Sequence, residues 1–192
     1  MMAKKLEVEN WEYHPLTPAR WADFEQLFGA NGACAGCWCA WFLMTNQEFK
    51  EAGKEGHKQL MYALVQAGAE PGIIAYADGV PAGWLALAPR EKYKRLTASK
   101  VLAPIDEQAA WVIPCFFIHR KYRRQGMMDR LLVAAIEYVK QKGAQLIEAY
   151  PIEAEEKVSA VNLYSGVATV FRRQGFELAE KRGERLIFRK FL

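Results

Sequence analysis

The sequence predicts a mixed α/β fold in which two parallel strands lie at the centre of the sheet and helices cover both faces. Two observations carry this reading. The segment AWVIPCFFI (110–118) is apolar on both faces, as a central strand is, and AQLIEAYPI (144–152) is a second strand. Between them, Met128, Leu131, Leu132, Ala135, Ile136 and Val139 fall at i, +3, +4, +7, +8 and +11, one face of an amphipathic helix over 126–142. Strand, crossover helix and strand make a parallel pair.

The remaining elements follow in order. Leu6 to Tyr13 alternates weakly and reads as a first strand. LTPARWADFEQLFG then carries helix-entry signals, with Thr17 as N-cap, Pro18 at the first helical position and Leu16 able to staple onto Trp21. Trp21, Phe24, Leu27 and Phe28 make its apolar face, and Gly29 ends it. After the aromatic run CWCAWFLM (37–44), a second helical region extends from about Gln47 to Ala67, where AGAEPG breaks it. GIIAYADGVPAGWLALAP (72–89) is a hairpin around Asp78-Gly79, a dipeptide suited to a type I′ turn. Residues 90–109 are polar and irregular. Gly143 stops the 126–142 helix, and Gly175 stops a short helix that runs to Gln174. FELAEK and RLIFRKFL close the chain as a second hairpin.

A length of 192 residues with 52% hydrophobic and 25% charged residues is that of one globular domain, 1–192, with a sizeable core. The net charge of +4 and the pI near 8.8 are mildly basic, short of the pI above ~9 with clustered Lys and Arg that marks a nucleic-acid binder. No apolar run approaches the ~20 residues that span a bilayer, so no membrane role is expected. The first residues lack the apolar stretch of a signal peptide, which makes a cytoplasmic protein, monomer or homodimer, the expectation. Of four cysteines, Cys34, Cys37 and Cys39 fall in CAGCWC. A closed zinc site needs four ligands, and only Cys115 or one of His14, His57 and His119 is left to complete it. Reduced thiols without metal are the expected reading.

The tetrapeptide Arg-Arg-Gln-Gly occurs twice, in KYRRQGMMDRLL (121–132) and VFRRQGFELAEK (170–181). The sequences beyond it differ, so this is not a structural repeat. In the first copy a strand runs into Gly126, where a helix opens. Helix starts present unpaired N–H groups and partial positive charge, and Lys121, Arg123 and Arg124 add full charges. Gly126 lets a ligand approach the backbone with no Cβ in the way. Together these features suit a pyrophosphate. Neither a Walker A loop nor Gly-x-Gly-x-x-Gly is present, which argues against ATP and dinucleotides. In the second copy the glycine ends a helix.

CFFIHRKYRRQGMMDRLL resembles the acyl-CoA-binding motif of the GNAT N-acetyltransferases, Gln/Arg-x-x-Gly-x-Gly/Ala after a central strand. Arg123 and Gly126 fill its first two positions, and Met128 departs from the usual small residue. FRRQGFELAE resembles the C-terminal motif Tyr-x-x-x-Gly-Phe, with Phe171 in place of the tyrosine and Gly175-Phe176 matching. The order of elements agrees with that fold as well. The likeness implies about seven strands, with the parallel pair splayed apart to admit acetyl-CoA as cosubstrate. It further implies that backbone groups of Phe116, Phe117 and Ile118 hold the pantetheine and polarise the thioester. Arg123, Arg124, Gln125, Gly126, Met127 and Met128 would hold the pyrophosphate.

The implied reaction is transfer of the acetyl group to a primary amine of a small molecule or peptide. Such an amine has a pKa near ~10.4, so a base is needed at neutral pH. Glu148, in the otherwise apolar LIEAYP, is the candidate, with Glu153 just beyond it. A paired structural carboxylate is the alternative for Glu148. Phe171 stands where the family often has its general acid, and Tyr164 stands where relatives commonly have Asn. Trp38, Trp41 and Phe42 are candidates to line the acceptor site, with core packing the competing reading for at least two. A second function class is a non-catalytic acyl-CoA-binding or thiol- or metal-sensing protein on the same fold, motivated by Phe171 and the three clustered cysteines.

Overall fold

The structure is a computed structural model that describes residues 8–153 and 162–192. β1 (Trp11–Pro15) begins later than the alternation suggests; Leu6 and Glu7 lie outside the described residues. A 3-10 turn at Pro18–Arg20 leads into α1 (Trp21–Phe28). Thr17 has the extended backbone of an N-cap, but its hydroxyl makes no capping bond. α2 (Asn46–Gln66) opens with a capping box, Thr45 Oγ1 accepting from the Glu48 amide at 3.2 Å and Glu48 accepting from the Thr45 amide at 2.7 Å. The helix is kinked at Gly53, where φ is +60°.

β2 (Gly72–Ala77) and β3 (Val80–Ala86) form the expected hairpin. Asp78 and Gly79 both have positive φ, 50° and 75°, as a type I′ turn demands. β4 (Ala88–Pro89) and the short α3 (Lys94–Thr97) follow, then β5 (Trp111–Ile113) and β6 (Phe116–Ile118). α4 (Met127–Gln141) crosses to β7 (Leu146–Ala149). Last come α5 (Ala168–Arg173) and the hairpin of β8 (Glu177–Arg182) and β9 (Arg185–Phe191).

The strands form two sheets, ordered β1-β2-β3-β6 and β4-β5-β7-β9-β8. β5 and β6 are one strand broken at Pro114-Cys115, and β3 and β4 are its broken antiparallel neighbour. With both rejoined, the order runs across seven strands, and β5 and β7 are the parallel pair. Proline has no N–H for a ladder, which accounts for the break. α4 buries Met127, Leu131, Leu132, Ala135, Ile136 and Val139 on one face of the sheets. The apolar stripe therefore starts at Met127, and Met128 is only half-buried. α1 and α2 cover the other face, where Phe24, Phe28, Trp38 and Trp84 form an aromatic core. None of the described helices is long and apolar enough to cross a membrane.

Two glycines distinguish packing from backbone freedom. A Cβ at Gly72 would lie 2.2 Å from the Leu85 carbonyl oxygen and 2.5 Å from the Trp84 ring. A Cβ at Gly79 would meet nothing within 4 Å, but the turn holds φ at +75°. Gly79→Ala is expected to cost about 1 kcal/mol. Gly72→Ala should cost about 3 kcal/mol, the upper end for overpacking, because backbone cannot yield there. Denaturant midpoints of the two variants test the order.

Candidate active site

The parallel pairing of β5 with β7 matches Trp111 with Ile147, Val112 with Glu148 and Ile113 with Ala149, and there it ends. Beyond Pro114, β6 keeps a partner only on the β3 side, so it parts from β7 and exposes an edge. The Cys115 carbonyl accepts from the Ala86 amide at 2.9 Å, and the His119 amide donates to Ala82 at 3.0 Å. Antiparallel alternation then aims the amide and carbonyl of Phe117 at β3 and those of Phe116 and Ile118 at the opening. The Ile118 carbonyl is taken by Arg123 Nε at 2.9 Å. Phe116 N–H and Ile118 N–H are the donors left to face a ligand, and the Phe116 carbonyl beside them carries only a weak contact from the Cys115 thiol at 3.7 Å. This corrects the expectation for Phe117, whose amide serves the ladder and whose ring lies 5.3 Å from Phe28.

The segment after β6 is shaped by two left-handed residues, Arg124 (φ 61°) and Gly126 (φ 76°). A 3-10 turn at Arg120–Tyr122 precedes them, and Gln125 Nε2 steadies it by donating to the Lys121 carbonyl at 2.9 Å. Gly126 is the N-cap of α4, and a side chain there would enter open space. The first amides of α4, at Met127, Met128 and Asp129, have no acceptor within the helix. The Met127 side chain packs under Gly83 while its backbone stays in this turn. Arg123 and Arg124 are exposed. Burial, then the charges of Lys121, Arg120 and Arg123, hold the His119 imidazole below its ordinary pKa. The loop is an electropositive cradle at a helix start.

Glu148 faces away from α4, on the side of Val112 and Tyr150, and is 1% exposed. Arg90 Nη1 donates to its Oε1 at 2.5 Å, as does the Tyr150 hydroxyl at 2.5 Å, and Arg189 Nε donates to Oε2 at 3.0 Å. Arg189 also holds Asp106 at 2.6 Å and 3.2 Å, and Arg90 reaches the Leu102 carbonyl. Both oxygens of Glu148 are thus committed to guanidinium groups, the arrangement of a paired structural carboxylate. Glu153 is exposed and bound by Arg172, which lowers its pKa. Arg90, Tyr150 and Arg189 escaped the reading of the sequence. A buried carboxylate implies cationic partners, but no spacing says which cation supplies them.

Phe171 is fully buried, edge-on to Phe176 at 5.1 Å and to Phe116 at 6.0 Å. Tyr164 is exposed, 6.5 Å from Phe42. Trp38 and Phe42 are core residues, whereas Trp41 is 41% exposed and lies under the Arg95 guanidinium at 3.6 Å. The loop that carries them is strained: Ala33, Ala35, Trp38 and Cys39 all have positive φ. This backbone brings Cys39 over Trp84, whose Nε1–H donates to Sγ at 3.1 Å, and beside the Cys115 thiol. Cys34 is exposed, and all four cysteines are free. Among the described residues no three Cys, His, Asp or Glu side chains group in a way that would hold a metal. A cavity of about 690 Å3, lined by Leu43, Leu60, Leu64, Trp111 and Tyr138, lies at the opposite end of α4 from the cradle.

Residues 38–167 match the acetyltransferase (GNAT) family. No curated protein matches the chain. Among solved structures, a GNAT-family acetyltransferase from Listeria monocytogenes is similar with a TM-score of 0.58 at 14% identity, covering 98% of this chain and 100% of that one. The PaiA N-acetyltransferase from Thermoplasma acidophilum in complex with coenzyme A has a TM-score of 0.53 at 14% identity, with 95% and 99% covered. An aminoglycoside N-acetyltransferase, AAC(6′)-Iy, in complex with CoA has a TM-score of 0.53 at 17% identity, with 90% and 91% covered. These likenesses are of fold, and the opening between β6 and β7 lies inside the matched segment. The chain belongs to the acetyltransferase (GNAT) family, whose enzymes use acetyl-CoA as cosubstrate.

Proposed function

We propose that this chain is an acetyl-CoA-dependent N-acetyltransferase whose acceptor is a primary amine of a small molecule or peptide. The observation that carries the proposal is the edge of β6, where Phe116 N–H, Phe116 C=O and Ile118 N–H face an opening that ends at the cradle of Arg123 to Met128. An amide-bearing pantetheine arm needs this alternation of donor and acceptor along an extended strand, and a pyrophosphate needs the helix start at its end. In this proposal Phe116 and Ile118 orient the arm. The amides from Gln125 to Met128, with Arg123 and Arg124, hold the phosphates. The amine nitrogen forms a bond to the thioester carbon, the carbon–sulfur bond breaks, the electron pair leaves on the thiolate, and the nitrogen gives up its proton to water.

Glu148 is not assigned the proton of the attacking amine. Protonating it would leave Arg90 and Arg189 without their shared counter-charge in a buried place. Phe171 is assigned to the core, so the thiolate departs without help from that position. Thiols ionise near ~8.5, which makes such a departure feasible.

Acetyl-CoA at a hundred times its dissociation constant should add about 2.7 kcal/mol of stability, seen as a raised Tm. Gly126→Asp puts a carboxylate in the cradle at φ +76° and should abolish that shift. Equal shifts in the two proteins would place the ligand elsewhere. Release of CoA thiol across a panel of amines tests the reaction itself.

Glu148→Gln should lose about 3–5 kcal/mol, since a broken buried ion pair strands its partners. The fraction that stays folded should turn over normally. A stable variant slowed more than a hundredfold would restore Glu148 as the base.

Phe171→Tyr buries a hydroxyl among Phe116, Phe176 and Gly166. It should cost about 1–3 kcal/mol and leave turnover unchanged below the melting transition. A faster enzyme of unchanged stability would show that this ring reaches the sulfur.

A further inference from the structure

Cys34 and Cys37 take no part in the acetyl-CoA site, yet the backbone around them is unusual. Of the non-glycine residues with left-handed φ, Asp78 belongs to the β2–β3 turn and Arg124 to the cradle, whereas Ala33, Ala35, Trp38 and Cys39 all lie within 33–39. Left-handed backbone is unfavourable for a residue with a Cβ, and a fold keeps it where the geometry has a use. At the centre of this stretch the Cys37 amide donates to the Cys34 carbonyl at 3.1 Å. Both residues between them have positive φ, Ala35 at 51° and Gly36 at 72°. This is a two-residue reverse turn of the I′ kind, which brings the α-carbons of Cys34 and Cys37 within about 7 Å of each other. A disulfide needs α-carbons about 4.4–6.8 Å apart. The turn is also fixed from outside. Nδ1 of the buried His57 donates to the Gly36 carbonyl at 2.8 Å, and a Cβ on Gly36 would lie 3.0 Å from Lys54 Cβ. Cys34 is exposed and Cys37 half-buried, and both are free thiols.

We propose that Cys34 and Cys37 form a redox-active dithiol, which a hydroperoxide converts to a disulfide across this turn. The chemistry is independent of acetyl-CoA. The Cys34 sulfur, the exposed one, attacks a peroxide oxygen and the O–O bond breaks. The leaving hydroxide takes the thiol proton as water, and Cys34 becomes a sulfenic acid. The Cys37 sulfur then displaces hydroxide from it, the S–S bond forms, and the Cys37 proton leaves in a second water. Two thiols have lost two electrons, and hydrogen peroxide has become two waters. Burial, then the charge of Cys39, pushes the Cys37 thiol up to about 11, which suits it to the second step and leaves the first to Cys34. Cys39, whose sulfur accepts from Trp84 Nε1 at 3.1 Å, and Cys115 sit against the aromatic core and stay reduced. A thiol reductant reverses the bridge by exchange. Because the turn already has its closed geometry, the oxidised form should be no less stable than the reduced one.

The test treats the reduced protein with a small molar excess of hydrogen peroxide, removes the peroxide with catalase, and alkylates the denatured chain with a maleimide. Fragmentation of the peptide that carries residues 34–39 locates any bridge. The expected result is loss of two of the four alkylatable thiols, full recovery with dithiothreitol, and an unchanged or higher Tm for the oxidised protein. Cys34→Ser should keep its three thiols at the same dose, and because Cys34 is exposed this variant tests the chemistry and not the folding. In Cys37→Ser the reaction should stop at the Cys34 sulfenic acid, trapped as a single dimedone adduct. Retention of all four thiols overturns the proposal. So does a bridge that uses Cys39 or Cys115, a dimer joined through Cys34, or a lowered Tm on oxidation.

Discussion

The break of one strand at Pro114-Cys115 governs the rest of this molecule. A continuous strand over 111–118 would have stayed paired with β7 along its length and left no edge. Instead Ile113 is the last residue matched to β7, and Phe116 is the first matched to β3, in the four-stranded sheet. The neighbouring strand accommodates the change by breaking as well, between Ala86 and Ala88. A proline costs one ladder hydrogen bond, but here it frees backbone donors and an acceptor for a ligand. The aromatic packing of Phe116 against Phe171 keeps the freed edge rigid.

Charge is arranged in two opposite ways around this opening. On the outside, Lys121, Arg123 and Arg124 are exposed beside a helix start, where positive potential attracts an anion and desolvation is cheap. On the inside, Arg90, Glu148, Arg189 and Asp106 make a chain of alternating sign that ties the irregular segment around Leu102 and Asp106 to β7 and β9. Each guanidinium in it meets a carboxylate, and the buried Glu148 lies between two of them while Asp106 ends the chain at the surface. The outer group is built for a ligand and the inner group for geometry. Arg90 holds the turn from which Tyr93 enters the core.

Several features were legible in the residues. The type I′ turn at Asp78-Gly79, the α4 stripe and the glycine stops depend on short-range backbone preferences, which a few neighbouring residues carry in full. The α4 stripe was read one residue late, at Met128 instead of Met127, because both side chains are apolar and only packing under Gly83 separates them. The capping box at Thr45-Glu48 was equally local and went unread. The break at Pro114 was foreseeable for the same reason, since proline's missing N–H is a property of the residue itself.

The sequence by itself therefore determined which segments are helices and strands, where the central strand fails and which loop opens α4, because each is written within one turn or one ladder step. The tertiary structure alone decided which side chains meet. Glu148 and Arg189 stand opposite through the register of β7 with β9, and Arg90 joins them from 58 residues away. Phe117 was excluded from the ligand edge by the alternation of the β3 ladder, which no single strand reveals. Tyr93 packs with Val112 and Tyr150 from a segment that looked merely polar and irregular. Contacts of that kind are fixed by how sheets and loops pack in three dimensions, and local periodicity carries no record of them.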